Sequence, residues 1–292
     1  MAEREQARER RAVVSGLLVS SALCVTELIG GWWTNSLALL SDAAHMATDV
    51  GALGLTLFAL WIGARPASER KTFGWYRAEI LAALVNGVVL SVLTVFIVLE
   101  AVQRIAAPEP VAAEGMLAIA ALGLGVNVFV ALRLHEHQQR SLNVRGAYLH
   151  VLSDLLGSIG AIVAAIVMLC TGWLVVDPLV SLLIAALILV ASWTLVREAV
   201  DILMEAVPPH VDVERLSRQL QSVPGVEEVH DLHVWTLTTG RYALSAHAVS
   251  RLPCRDDRLL DALREVCERE FGIEHVTIQI EHENRRGAEP RH

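Results

Sequence analysis

Lysine is nearly missing from this sequence: Lys71 is the only one among 24 basic residues, and the rest are arginine. Cysteine is sparse too. Cys24, Cys170, Cys254 and Cys267 form no CxxC pair, and two lie in apolar runs while two lie in the polar C-terminal part, which argues against a disulfide framework. There is no surplus of positive charge. The net charge is −8, so no global basic field invites nucleic acid as a partner. Met1–Arg11 carries both signs of charge, and no small-residue cleavage site precedes the first apolar run, so no cleaved signal peptide is expected. Above all, charge itself is scarce: 19% of 292 residues against 54% hydrophobic, with a mean hydropathy of +0.47. That balance excludes an ordinary soluble protein of this length and implies several membrane spans.

Six apolar runs are long enough to cross a hydrocarbon core of ~30 Å, which takes about 20 helical residues each. They lie near Ala12–Gly31, Leu37–Gly63, Glu79–Gln103, Gly115–Leu134, Ala147–Trp173 and Pro178–Arg197, the last with a helical continuation to Ala206. Arginines and the single lysine gather before the first run (Arg4, Arg8, Arg10, Arg11), after the second (Arg65, Arg70, Lys71, Arg77) and after the fourth (Arg133, Arg140, Arg145). The alternate connections, Trp32–Ser36, Ala106–Glu114 and Thr171–Asp177, contain neither. The positive-inside rule then puts both termini in the cytoplasm, with residues 1–207 forming a six-helix transmembrane domain in the lipid bilayer.

Pro208-Pro209 closes the membrane part, because proline cannot continue a helix interior. Residues 208–283 read as a small α/β domain. Val213–Ser222 and Asp256–Phe271 have helical periodicity, and Val226–Leu237, Tyr242–Val249 and Val276–Glu281 read as strands. The α-β-β-α-β order predicts a three-stranded sheet with helices on one face. Residues 284–292 read as a disordered tail.

The chemistry concentrates in Ser41–Asp49 and its echo His150–Asp154. Each places a histidine four residues before an aspartate, His45 before Asp49 and His150 before Asp154, inside an apolar run. On a helix those spacings present an imidazole and a carboxylate on one face. Ionisable groups at membrane depth are costly and mark ion paths or sites. Two pairs supply four N/O ligands, the number tetrahedral zinc takes. With neutral imidazoles the four carry −2, matching a divalent cation, and without metal they should take up protons. Metal and protons therefore compete for one set of groups, and exchange of a divalent metal for protons follows. The pairs occupy corresponding places in two three-span halves, where transporters put their sites. The competing reading is that they are interhelical hydrogen bonders that fix packing. Asp42, three residues before His45, is either an accessory ligand or a group nearer the outer end of the span.

Other polar positions are weaker. Glu27, Glu79, Asn86, Glu100 and Asn127 could hydrate a path or serve as structural partners. Gly30-Gly31 and Gly123-x-Gly125 read as close helix packing. In the small domain His230, His247 and Glu281 fall on expected strands, with Asp231, His233, Asp256, Asp257 and His282 nearby. Strict alternation would put His230 in phase with Leu232 and Val234, and His233 in phase with Asp231 and Trp235. Such clusters suit zinc, although strand histidines are also common surface residues.

Residues 35–49 (NSLALLSDAAHMATD), 72–79 (TFGWYRAE), 143–154 (NVRGAYLHVLSD), 229–235 (VHDLHVW) and 244–247 (LSAH) together resemble the cation diffusion facilitator family over almost the whole chain. The pattern is similar to its bacterial zinc/cobalt/cadmium-efflux branch and to eukaryotic vesicular zinc exporters. The resemblance implies an α-helical membrane protein of six spans with a metallochaperone-like cytoplasmic domain. It implies a proton-coupled, homodimeric zinc antiporter of the bacterial cytoplasmic membrane. It assigns His45, Asp49, His150 and Asp154 to the transport site and His230, His247 and Glu281 to a cytoplasmic zinc site, with Asp42, Asp257 and His282 as accessory candidates. Arg77 matches a basic position that locks the dimer through an acid such as Asp201 or Glu205. Two departures stand out. Ser68, Lys71 and Trp75 occupy the connection where some relatives carry a second metal site, and the histidine-rich insertion of vesicular relatives is reduced to His135 and His137. The alternatives are an exporter with broader cadmium and cobalt selectivity, or a membrane zinc hydrolase. A hydrolase needs an open zinc position, and four protein ligands leave none.

Overall fold

The computed structural model describes residues 18, 19, 21–63, 65–135, 142–250 and 256–282. Helix α1 covers 21–34, followed by α2 (Leu37–Gly63), α3 (Arg77–Ala106), α4 (Ala113–His135), α5 (Leu142–Thr171) and α6 (Val176–Leu203). After them come α7 (Val213–Gln221), β1 (Val226–Thr238), β2 (Arg241–Ser250), α8 (Asp256–Phe271) and β3 (His275–Glu281). Among the described residues four helices, α3 to α6, are long and apolar enough to cross a membrane. The expected tail at 284–292 and the N-terminal end of the first expected span lie outside the described residues.

The chain divides into two compact units, one of Met1–Leu57 with Val85–Val196, the other of Phe58–Leu84 with Arg197–His292. In the first, small residues bring helix backbones together, as expected where lipid is no worse a solvent for leucine than a neighbouring helix. Gly30 on α1 is covered by Ile119 of α4, and a Cβ on Gly31 would stand 2.9 Å from Leu40 Cγ of α2. A Cβ on Gly87 of α3 would meet Val196 of α6 at 2.7 Å, and one turn further Ser91 Oγ donates to Ser192 Oγ at 3.1 Å. Ala38 and Leu39 of α2 share a core with Met116 and Ala120 of α4 and Ala161, Ala164, Ala165 and Met168 of α5. The opposite faces expose Val95, Phe96 and Leu99 on α3 and Leu183, Leu187 and Val190 on α6, the pattern of surfaces that meet acyl chains.

One end of this unit is tied by polar contacts. Asp177, fully buried at the start of α6, accepts from Ser36 Oγ (2.7 Å), Leu37 N (2.8 Å) and Ala38 N (3.3 Å), and so caps α2 from another helix. Asn35, with φ +56, makes the turn between α1 and α2. Arg104 from the end of α3 donates to Asn35 O (2.8 Å) and Oδ1 (3.0 Å), and Asn35 Nδ2 donates to Glu109 (3.0 Å). The expected continuation of the sixth span stops at Leu203. Glu205 takes φ +61, and Ala206 N reaches back to Asp201 O at 2.9 Å, which closes the helix in a left-handed cap.

In the second unit the sheet has the order β1-β2-β3, with β1 antiparallel and β3 parallel to β2. Asp212 caps α7 by accepting from Arg215 N at 3.0 Å. Leu216 and Leu220 of α7 and Leu259, Leu263, Cys267 and Phe271 of α8 share one core with Val234, Leu244, Ala246 and Ala248 of the sheet. The expected α-β-β-α-β order is present. The β1–β2 ladder shifts register in three places, between Val226 and Glu228, His230 and His233, and Thr236 and Thr238; the middle shift falls at Asp231 (φ +50), so that His230 pairs with His247 while His233 pairs with Ser245. Between those pairs two residues of β1, Asp231 and Leu232, stand against one of β2, Ala246. The bulge turns His230 away from the phase of Val234 and onto the sheet face that carries Ser245 and His247, correcting the strict-alternation reading.

Candidate metal centres

Both His-x-x-x-Asp pairs lie on continuous helix, His45 and Asp49 on α2 and His150 and Asp154 on α5. The side chains of Asp49 and His150 lie outside the described residues; His45 is half-buried and Asp154 is buried. The register of the two helices is set by a close approach. A Cβ on Gly157 of α5 would fall 2.7 Å from Asp42 Oδ1 of α2, so only glycine leaves room for that carboxylate. Further along, Ala38 and Leu39 share a core with Ala161, Ala164, Ala165 and Met168, so residue numbers fall on one helix as they rise on the other. The helices are antiparallel. At about 1.5 Å per residue, three steps from the Asp42–Gly157 contact make position 45 level with 154, and seven make 49 level with 150. Asp42 itself is buried beyond His45 and within electrostatic reach of Asp154.

The remaining intramembrane polar residues are placed individually. Glu100 pairs with Arg104 at 2.8 Å, and Asn86 is buried. Asn127 Nδ2 donates to Ser158 Oγ at 3.5 Å, with Glu27 buried nearby against Gly123. Gly123 therefore makes room for a carboxylate, where sequence spacing implied helix packing alone.

The sheet assembles a second centre. His230 Nε2 stands 3.3 Å from Glu281 Oε2, and His247 Nδ1 stands 3.2 Å from Glu281 Oε1, so one carboxylate spans two imidazoles. The rings are 5.2 Å apart at 69°. The side chains of His230 and Glu281 are 2% and 3% exposed, and that of His247 is 22% exposed, which leaves one open edge. Gln279 Nε2 donates to Glu281 Oε1 at 2.9 Å and orients it. Ligand atoms of the three lie within 4.8 Å of one another, the one such group of three among the described residues. Two nitrogens and an anionic oxygen converging in a largely dry pocket fit zinc. Asp257 and His282 are exposed and stand outside this group, as does His233, which pairs with Asp231 at 2.9 Å. Cys267 is buried in the core, where desolvation pushes its thiol up to about 11 and keeps it from acting as a thiolate ligand near neutrality.

The connection between α2 and α3 belongs to the same unit. Ser68 and Lys71 form a small bridge, and the Lys71 ammonium lies 2.8 Å from the centre of the Trp75 ring. Thr238 and Thr239, at the tip of the β1–β2 hairpin, donate to Glu79 at 2.7 and 3.1 Å, and Arg241 donates to the Tyr76 hydroxyl at 2.7 Å. Sequence reading placed Glu79 with the intramembrane polar residues; its partners are hairpin hydroxyls. Arg77 pairs with Glu205 at 2.6 Å, while Asp201 lies 4.0 Å from Arg197. His135 and His137 lie outside the described side chains.

The family model for the cation efflux transmembrane domain matches residues 13–204, and that for the cation efflux protein cytoplasmic domain matches 208–283. The chain is 41% identical to the metal cation efflux system protein CzcD of Cupriavidus metallidurans, over 93% of this chain and 86% of that one. It is 42% identical to a cadmium, cobalt and zinc/H(+)-K(+) antiporter of Bacillus subtilis, over 96% and 91%. The zinc transporter ZitB of Escherichia coli is 41% identical, over 91% and 85%. Among solved structures, the metal-bound C-terminal domain of the Cupriavidus metallidurans CzcD transporter is 38% identical, covering 24% of this chain and 99% of that one, with a TM-score of 0.23. A helical membrane part and a C-terminal domain with a small sheet accompany these matches along the chain. This protein is a multi-pass integral membrane protein and a member of the cation efflux family.

Proposed function

We propose that the protein exports zinc from the cytoplasm in exchange for protons, through a tetrahedral site of His45, Asp49, His150 and Asp154. The observation that carries this reading is the antiparallel register of α2 and α5, fixed by Asp42 against Gly157, which levels 45 with 154 and 49 with 150. Two imidazoles and two carboxylates neutralise one divalent cation and, emptied, bind protons in its place. The site alternates access between faces of the bacterial inner membrane, in a chain with six spans, cytoplasmic termini, a transmembrane domain over 1–207 and a cytoplasmic domain over 208–283. The centre at His230, His247 and Glu281 holds a further zinc, which supplies positive charge to a carboxylate set between two imidazoles. A second copy of the chain completes a homodimer, with the Arg77–Glu205 pair at the membrane end of the cytoplasmic part. Relatives are named for cadmium and cobalt as well as zinc, so a wider cargo range is the alternative within this reading.

The test is metal flux in sealed proteoliposomes with an imposed pH gradient. Zinc movement is expected to follow the gradient, and Asp154→Ala to abolish it with the protein still inserted. Zinc flux indifferent to the gradient would remove the antiport reading; full flux in Asp154→Ala would remove the site. Parallel runs with cadmium, cobalt and manganese rank the cargo.

A further inference from the structure

The connection between α2 and α3 ends at Arg77, where a helix long and apolar enough to cross a membrane begins, so it lies at a membrane edge. Along it polarity rises in steps. Phe58 and Trp61, one turn apart on α2, are 54% and 61% exposed, with ring centroids 5.9 Å apart. One turn on, past the helix end, the Arg65 guanidinium stands 4.5 Å from the centre of the Trp61 ring. Beyond it Glu69, Arg70 and Lys71 are exposed. An exposed phenylalanine, an indole and then cations follow the order of acyl chain, interface and phosphate that a bilayer presents.

Basic residues beside a span need be no more than a solvated run that sets orientation. Here the loop is built. Ser68 N donates to Lys71 O at 3.1 Å and Lys71 N to Ser68 O at 3.0 Å, while Gly74, at φ +70, donates its N–H to Lys71 O at 2.8 Å. This turn sets the Lys71 ammonium 2.8 Å from the centre of the Trp75 ring. Phe73 meets the His275 ring edge-to-face at 5.4 Å, and Arg241 donates to the Tyr76 hydroxyl at 2.7 Å, so the sheet holds the far half of the connection. A cation resting on an indole keeps its charge and still has N–H groups to donate, whereas an ion pair would cancel it. Neighbouring charges are engaged elsewhere: Arg77 pairs with Glu205, and Glu79 accepts from Thr238 and Thr239. Over residues 65–71 three cations accompany one acid, Glu69, an excess of two positive charges.

We propose that the α2–α3 connection is a docking site for an anionic phospholipid of the phosphatidylglycerol type. Arg65, Arg70 and Lys71 hold the headgroup phosphate, and Phe58 and Trp61 lie along the acyl chains. The inference rests on the membrane placement of α3 and not on the antiport reading. A phosphodiester brings one negative charge, so the patch favours it over a zwitterionic headgroup, whose ammonium cancels that charge. Free phosphate meets the same cations but gains nothing from the rings beneath them.

Radiolabelled phosphatidylglycerol titrated onto the full-length protein in neutral detergent tests this, with phosphatidylcholine and inorganic phosphate as competitors. Saturable binding is expected that yields to unlabelled phosphatidylglycerol and to neither competitor at the same concentration. Each cation near an anionic lipid surface contributes about fivefold in affinity, so Arg70→Gln with Lys71→Gln should lower it by about tenfold or more. Raised salt should weaken wild-type binding in the same direction. Arg258→Gln with Arg264→Gln removes as many exposed cations from α8 and should change nothing. Equal affinity for phosphatidylcholine overturns the proposal, and so does competition by inorganic phosphate, which marks a general anion site. An unchanged affinity in the Arg70, Lys71 variant, or an equal fall in the α8 control, overturns it too. A fall accompanied by loss of the dimer assigns the patch to a second copy of the chain instead. Where that variant is not recovered folded, Arg70→Gln alone decides: a loss of about fivefold supports the site, and a markedly smaller one rejects it.

Discussion

At the scale of single residues, the candidate cytoplasmic centre depends on one carboxylate. Glu281 lies within 3.3 Å of both imidazoles and is nearly dry, so in the proposed zinc site it would provide both an oxygen ligand and the charge that makes two histidines hospitable to a dication. Glu281→Gln keeps the shape and the Gln279 contact but removes that charge. Zinc affinity of the full-length protein, measured by titration calorimetry in detergent, is expected to fall by at least about tenfold, since even groups that only support a ligand cost 10- to 100-fold. An unchanged affinity would place the metal elsewhere. The three residue types and their strands were legible in the sequence, because β-branched runs bounded by Gly and Pro mark strands without help from tertiary structure. The face was not. Asp231 in the left-handed region shifts the phase by one residue, and a single aspartate between two histidines carries no periodic signal; its tolerance for positive φ was the one available hint.

At the scale of elements, helix periodicity and apolar length placed α2 to α6 to within a few residues, since burial in a membrane rewards continuous helix. What patterning could not show is which helix caps which. The first N–H groups of α2 have no partner inside their own helix, and the acceptor is Asp177, roughly 140 residues away in sequence. Asp177→Ala leaves those donors in a dry environment. A loss of about 1–2 kcal/mol is expected, the upper range for N-cap removal, read as a lower unfolding temperature of the purified protein. Asp177→Asn retains an oxygen acceptor and should lose less. Equal stability of Asp177→Ala and wild type would mean that water replaces the cap. The same limit hid the grip of Thr238 and Thr239 on Glu79, because a glutamate at a span end looks the same in sequence whether it meets solvent or a hairpin.

At the scale of the whole molecule, the orientation proposed from the loop charges is one that any assembly would have to respect, and a second copy is expected to join through the cytoplasmic part. The open edge at His247 and the buried carboxylate beside it give metal a way to tighten that association. Light scattering in mild detergent should return the mass of two chains with zinc present and a larger monomer fraction after chelation. A single chain under both conditions would reject the dimer. The residues of the proposed intramembrane site stand out in the sequence unaided, since charge is so rare in apolar runs that His45, Asp49, His150 and Asp154 are conspicuous there. The packing of Glu27 against Gly123 was not legible, because a glycine that makes room for a carboxylate on another helix looks in sequence like any other small residue. The tied end of the bundle, where Asp177 and Arg104 hold the α1–α2 turn, also has a mechanical consequence. A rod fastened at one end moves least there and most at the other. Helix α2 is about 40 Å long at 1.5 Å per residue, and His45 stands roughly 12 Å from the fastening. A tilt of about 10° would then carry the far end through roughly 7 Å while displacing His45 by only about 2 Å. Leverage of that kind would open a wide mouth on one side of a membrane while leaving the proposed ligands almost where they were.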